Sequence, residues 1–183
     1  MYSRKFLYVC GLAAAAVCTL VDVSPKANAA SRDKAFFQSV AGTWKGPGEI
    51  VAGKYKGTKF SCNLIGEPML DQSAGIKLDG TCRVGVFKQP MSAVIAQVGN
   101  SYKGRFLDGA AGKGLDIVSG TVNDDTVVVG INRAKLNGAM IARVNNDKDM
   151  NVTISVKVED QMIPVIGLTL KRQVDEMAVG SIE

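Results

Sequence analysis

The side chains that could carry chemistry in this sequence are few. They are a cysteine pair, Cys62 and Cys82, two acidic clusters at Asp124-Asp125 and Asp147-Lys148-Asp149, and a glycine-rich run from Gly109 to Gly114. Histidine does not occur in the chain. Nucleophilic catalysis needs a base beside the nucleophile, most often that residue, so the thiols lack the partner a hydrolase would give them. They are not spaced as a C-x-x-C redox pair, and two thiols alone fall short of the four ligands of a structural zinc site. The carboxylates lie among asparagines in stretches that read as turns, where aspartate is favoured for its hydrogen bonds to the local backbone. Their spacing matches neither a calcium loop nor an acid–base dyad. The run Gly109-Ala110-Ala111-Gly112-Lys113-Gly114 has the outline of a phosphate loop. It lacks the Ser or Thr after its lysine and the strand-to-helix setting, so it reads as a flexible loop. Asn151-Val152-Thr153 has the form of a glycosylation sequon but falls inside an expected strand, and is taken as chance. The expectation is a protein that is not an enzyme and that needs no metal or cofactor.

The chain opens with the three parts of a secretory leader. Arg4 and Lys5 form a basic start, Phe6 to Leu20 an apolar stretch, and Ala27-Asn28-Ala29 the small residues of a cleavage site. The apolar stretch is short for a membrane helix, which needs roughly 20 residues. Asp22, Pro25 and Lys26 follow it at once, so residues 1–29 read as a cleaved signal peptide with no membrane span left in the mature chain. Cys10 and Cys18 leave with it; a lipoprotein signal would need a small residue before its cysteine, and both follow valine (Val9, Val17). The expected destination is the periplasm, with secretion second. Cleavage after Ala29 leaves 154 residues, enough for one domain with its own core. The whole chain has 22 basic and 17 acidic residues; without Arg4, Lys5, Lys26 and Asp22 the balance is 19 to 16, or +3. That mild, evenly spread charge, with no interleaved aromatics, argues against nucleic acid. The two remaining cysteines, Cys62 and Cys82, form an even pair in an exported chain, which is most simply a disulfide.

The elements that hold these residues are mostly strands. Ser31 to Val40 has a helical look, with Ser31 as cap and Phe36, Phe37 and Val40 on one side. After Gly42, short segments rich in Val, Ile, Thr and aromatics alternate with turn signals at Asp71–Gly75, Gly99-Asn100, Asn123–Asp125, Asn137-Gly138 and Asn145–Asp149. About ten strands result. Phe60, Cys62 and Leu64 share one face opposite Lys59, Ser61 and Asn63; Ile76, Leu78, Cys82 and Val84 oppose Lys77, Asp79, Thr81 and Arg83. Val152, Ile154, Val156 and Val158 likewise oppose Thr153, Ser155, Lys157 and Glu159. One apolar and one wet face is the pattern of antiparallel sheet over a core. A hairpin centred on Gln72 sets Cys62 opposite Cys82, Phe60 opposite Val84 and Leu64 opposite Gly80, so hydrophobic parity and cysteine position select one register. Such a staple stabilises by about 3 kcal/mol in the chain-entropy account. Many short antiparallel strands hide their edges most completely by closing. The fold class expected is all-β: a single antiparallel up-and-down barrel over residues 42–173, a short helical segment over 30–41, one disulfide, and a loose tail over 174–183.

Gly42-Thr43-Trp44, following the helical turn and opening the first strand, resembles the Gly-x-Trp signature of the calycin barrels, the lipocalins, fatty-acid-binding proteins and their relatives. The longer string Gly42-Thr43-Trp44-Lys45-Gly46-Pro47-Gly48-Glu49 is most similar to the opening strand of the nitrobindin-like branch. In that family a basic residue of the last strand covers the tryptophan and closes one barrel end. Arg172, with the parity of Leu168 and Leu170, matches the role. The resemblance thus implies a barrel-closing set of Gly42, Trp44 and Arg172. Nitrobindin-like haem ligation uses a histidine, which this chain lacks, and a cysteine pair on the second and third strands is not part of that branch's pattern. The periplasmic inhibitors of secreted metalloproteases also pair a Gly-x-Trp opening with one disulfide, on eight strands. They act through the segment ahead of the barrel, which here would begin near Ala30-Ser31-Arg32.

Trp44 can be read as plug or ligand contact, and its place in the first strand favours the plug. Phe60, Leu64, Ile76, Leu78, Ile154 and Val156, with Trp44, are the candidate cavity wall; as sequence they serve equally as packed core. The expected function is a binding barrel for a small apolar or amphipathic ligand in the cell envelope. The alternative is a barrel that binds an envelope protein partner, as a protease inhibitor or structural factor.

Overall fold

The computed structural model describes residues 25–69, 74–107 and 114–174. Helix α1 (Pro25–Ser39) leads into β1 (Gly42–Ile50), β2 (Lys59–Pro68), β3 (Gly75–Val84), β4 (Phe87–Val98) and β5 (Ser101–Leu107). Then come β6 (Leu115–Asn123), β7 (Thr126–Arg133), β8 (Leu136–Asn145), β9 (Asp149–Val158) and β10 (Gln161–Gln173). Each strand pairs antiparallel with the next, and β10 returns to β1, closing the barrel and leaving no edge to defend. Most of the expected leader, residues 1–24, lies outside the described residues; Pro25–Ala29 begin α1, where proline suits a first helical turn. The expected turn at Asp71, Gln72 and Ser73, the run from Gly109 to Lys113 and the tail beyond Val174 also lie outside them.

Alternation sets the two faces. Val127, Val129 and Ile131 of β7 are buried, as are Cys62 of β2 and Ile76 of β3, while Lys59, Asn63, Glu67, Lys77 and Asp79 on the same strands point to water. The barrel is apolar within; its outer face is mostly polar and charged, with Ile65, Val94, Val118 and Ile141 among the apolar side chains exposed on it. No described helix is long and apolar enough to cross a membrane.

The hairpin β2–β3 has the register set by its cysteines: Cys62 faces Cys82, Leu64 faces Gly80, and the disulfide is formed. One expected turn is corrected. Asn137-Gly138 lies inside β8, and the chain reverses earlier, at Ala134-Lys135, where Ala134 takes the left-handed conformation (φ 51°). Gly138 is needed for close approach instead: a Cβ there would lie 2.3 Å from the Ser155 carbonyl oxygen on β9. Asn137 accepts a hydrogen bond from the Asn132 side chain across the β7–β8 pair at 2.7 Å, so both residues serve the ladder.

Up-and-down order sorts the connections into two ends. Helix α1 and the β2–β3, β4–β5, β6–β7 and β8–β9 turns lie at one end. The β1–β2, β3–β4, β5–β6, β7–β8 and β9–β10 connections lie at the other. Burial follows the axis. Inward residues near α1, such as Trp44, Ile95, Tyr102 and Leu170, are fully buried, whereas Phe60, Leu78, Ile154 and Val156 are only half-buried although they also face inward.

Candidate functional site

The end nearest α1 is built as a plug. Phe36, Phe37 and Val40 are buried in the barrel end, each contributing roughly 1.5–3 kcal/mol of apolar transfer. Trp44 is completely buried and donates its indole N–H to the Val40 carbonyl at 2.8 Å. Strand pairing sets Arg172 beside Trp44, with the guanidinium 4.3 Å from the ring centroid, a cation–π stack. The same guanidinium donates to the carbonyls of Ser39 and Ala41, and to that of Asp147 at 2.6 Å. Gly42 makes room for it, because a Cβ there would lie 2.9 Å from an Arg172 nitrogen and its φ of +110° suits glycine. Gly42, Trp44 and Arg172 therefore meet at one barrel end.

A second clasp ties the helix down. Asp33 accepts a hydrogen bond from the Tyr102 hydroxyl at 2.8 Å, and Arg32 donates to Asp33 at 3.2 Å and to the Val122 carbonyl at 2.9 Å. Burial, and then the bond to Asp33, push the Tyr102 phenol well above the ordinary tyrosine range, so it stays a donor. Sequence reasoning missed this clasp, because the partners belong to different elements and neither has a local signal.

Beyond the plug lies a cavity of about 300 Å³, at the lower end of the range for ligand sites. Phe60, Leu64, Ile76, Leu78, Ile154 and Val156 all line it, and so does the Cys62–Cys82 disulfide. Trp44 is not among the lining residues; it belongs to the buried cluster with Phe37 and Val40 and lies under the Arg172 guanidinium. Among the lining residues, Ser92 supplies a hydroxyl and Arg133 the one charge. Arg133 closes β7 on the inward parity of Val127, Val129 and Ile131, at the end away from α1, and donates to the Gly114 carbonyl at 2.8 Å. Parity along β7 was the signal that could have found it.

The remaining chemistry resolves into structure. Asp125 pairs with Arg143 at 3.8 Å and accepts from Thr126 at 2.7 Å; Asp149 pairs with Lys171 at 3.0 Å. Asp124 and Asp147 hold positive-φ turn positions, which aspartate tolerates. Among the described residues no cluster of three metal-ligating side chains occurs. Asn151 points outward from β9 and accepts from Thr169 at 3.1 Å. The site can enclose apolar matter and offer one guanidinium near its mouth.

No protein-family model matches the chain, and no curated protein matches it.

Proposed function

We propose that the protein is an exported, non-enzymatic barrel that binds a small apolar or amphipathic molecule. The observation that carries this reading is the apolar cavity, plugged at the α1 end and bordered by half-buried wall residues toward the other. A space walled almost wholly by apolar side chains holds water poorly and takes apolar guests. An amphipathic guest would place its tail toward Phe36 and Phe37 and its head near Arg133, whose fork suits an anionic group. The Gly42-Thr43-Trp44 opening, the helical plug and the Arg172 stack support a place among the calycin-type barrels, with ten strands in the wall.

The alternative, a barrel that inhibits or binds an envelope protein through its N-terminal segment, has less support. Phe36, Phe37 and Val40 are engaged in the barrel end and are not offered to a partner. Incubation with fatty acids of graded length and with environment-sensitive dyes, followed by native mass spectrometry, tests the binding reading. One bound molecule per chain is expected. An interior that takes up nothing under these conditions would refute it.

A further inference from the structure

The end away from α1 carries a ring of exposed apolar side chains. Val86 and Phe87 at the β3–β4 turn are 92% and 78% exposed, and Tyr55 in the β1–β2 loop is 63% exposed. Leu136 at the β7–β8 turn and Met162 beside the β9–β10 turn complete the ring. Single exposed apolar residues are ordinary, but one on each of four separate connections, around one opening, forms a patch. The plugged end shows fewer among the described residues: Val98 at the β4–β5 turn and Val174 just after β10.

Charge divides the same way. Lys54 and Lys56 flank Tyr55, Arg83 and Lys88 bracket the β3–β4 turn, and Lys135 sits at the β7–β8 turn, all exposed. Glu159 and Asp160 oppose them at the β9–β10 turn, where Asp160 is paired with Lys157 at 3.6 Å. The turns of the plugged end instead carry Asp124, Asp125, Asp147 and Asp149 against Lys148. Lysine and arginine thus predominate at the mouth, whereas at the plugged end Asp33, Asp125 and Asp149 are paired with Arg32, Arg143 and Lys171 and the charges nearly balance.

We propose that the mouth docks on an anionic phospholipid surface, with Val86, Phe87 and Tyr55 entering the headgroup layer and the lysines facing lipid phosphates. The composition favours lipid over a protein partner. Lysine is depleted in the cores of protein interfaces, whereas lysines around aromatic and aliphatic tips fit an anionic membrane surface. Docking goes beyond ligand binding and does not depend on it: Leu136 belongs to both the rim and the cavity lining, but Tyr55, Val86, Phe87 and the rim lysines are not among the lining residues.

The test places a reporter at each end of the full chain. Trp44 is buried, so Phe87→Trp and Val98→Trp each add one exposed indole. With vesicles of phosphatidylglycerol and phosphatidylcholine, the indole at 87 should shift to the blue and be quenched by spin-labelled lipid, while that at 98 stays unchanged. Pure phosphatidylcholine should give much less quenching at 87. Each of Lys54, Lys56 and Lys88 changed to alanine should weaken partition about fivefold, with a shallower salt dependence. No quenching at 87 with anionic vesicles overturns the proposal, and so does equal quenching at 87 and 98. Dye uptake in solution is measured on the same variants; it should be unchanged, which separates failure of docking from failure of the binding reading.

Discussion

Arg172 and Lys171 are neighbours in β10 with opposite parity, and the closure described above predicts very different costs for losing them. Arg172→Ala removes a cation–π stack on a fully buried indole, worth on the order of 2 kcal/mol. It also removes three donated bonds to the Ser39, Ala41 and Asp147 carbonyls. At roughly 1 kcal/mol each, partly offset by water reaching the vacated carbonyls, these bring the total to about 3–4 kcal/mol. For a domain of this size each kcal/mol moves the midpoint by about 2–4 °C, so Tm should fall by about 10 °C. Lys171 makes an exposed pair with Asp149, and Lys171→Ala should cost about 0.5 kcal/mol or less. Arg172→Lys keeps the charge but loses the planar fork, and should recover about half of the loss. Thermal melts of the three variants, with near-ultraviolet circular dichroism to follow the Trp44 environment, decide the matter. Equal shifts for Arg172→Ala and Lys171→Ala would refute the closure argument.

Other consequences are as direct. Reducing the Cys62–Cys82 bond should lower stability by about 3 kcal/mol, and a thiol assay on native protein, with residues 1–29 removed, should find no free sulfhydryl. Tyr102→Phe leaves the Asp33 carboxylate without its phenol donor and should cost about 1–3 kcal/mol in a denaturant titration. The raised phenol also predicts a pH effect. Below about pH 10 both folded and unfolded states hold the proton; above it the unfolded state ionises while folded Tyr102 does not, so stability falls as pH rises. Denaturant titrations from pH 9 to 11 should show that decline weakened in Tyr102→Phe. Val152→Phe adds volume to the cavity wall and should reduce dye uptake severalfold while leaving unfolding stability within about 1.5 kcal/mol of wild type.

Much of the frame was legible because independent signals agreed. Phe60, Leu64, Ile76 and Leu78 alternate with charged neighbours, and Cys62 and Cys82 demand the same register, so the β2–β3 hairpin had one solution. Trp44 and Arg172 were legible as a pair because one opens the first strand and the other ends the last. Asn137-Gly138 misled because an Asn-Gly pair is a strong turn signal, yet here the glycine answers a crowded backbone on β9. The β3–β4 turn escaped notice for the opposite reason: Val84, Val86 and Phe87 look like strand interior, and their exposure follows from the barrel's shape. The openness of the wall around Ile154 and Val156 is likewise a tertiary property, since the same alternation serves a filled core or a hollow one. Arg133 was within reach of parity on β7, but a cation at a strand end reads first as a surface residue.

Closure through β1 and β10 has a consequence in time. The first strand finds its partner only in the last, so the hairpins between them can form early while the cylinder stays open. Such non-local pairing folds slowly, on a scale of about milliseconds to seconds. Until β10 arrives, β1 and β9 are unpaired edges and the apolar stripe of every strand is wet, the condition in which chains aggregate. The locking residue, Arg172, lies next to the end of that last strand and grips Ser39 and Ala41, just ahead of the first. For a chain proposed to cross a membrane, this ordering keeps it threadable until its last strand has emerged on the far side.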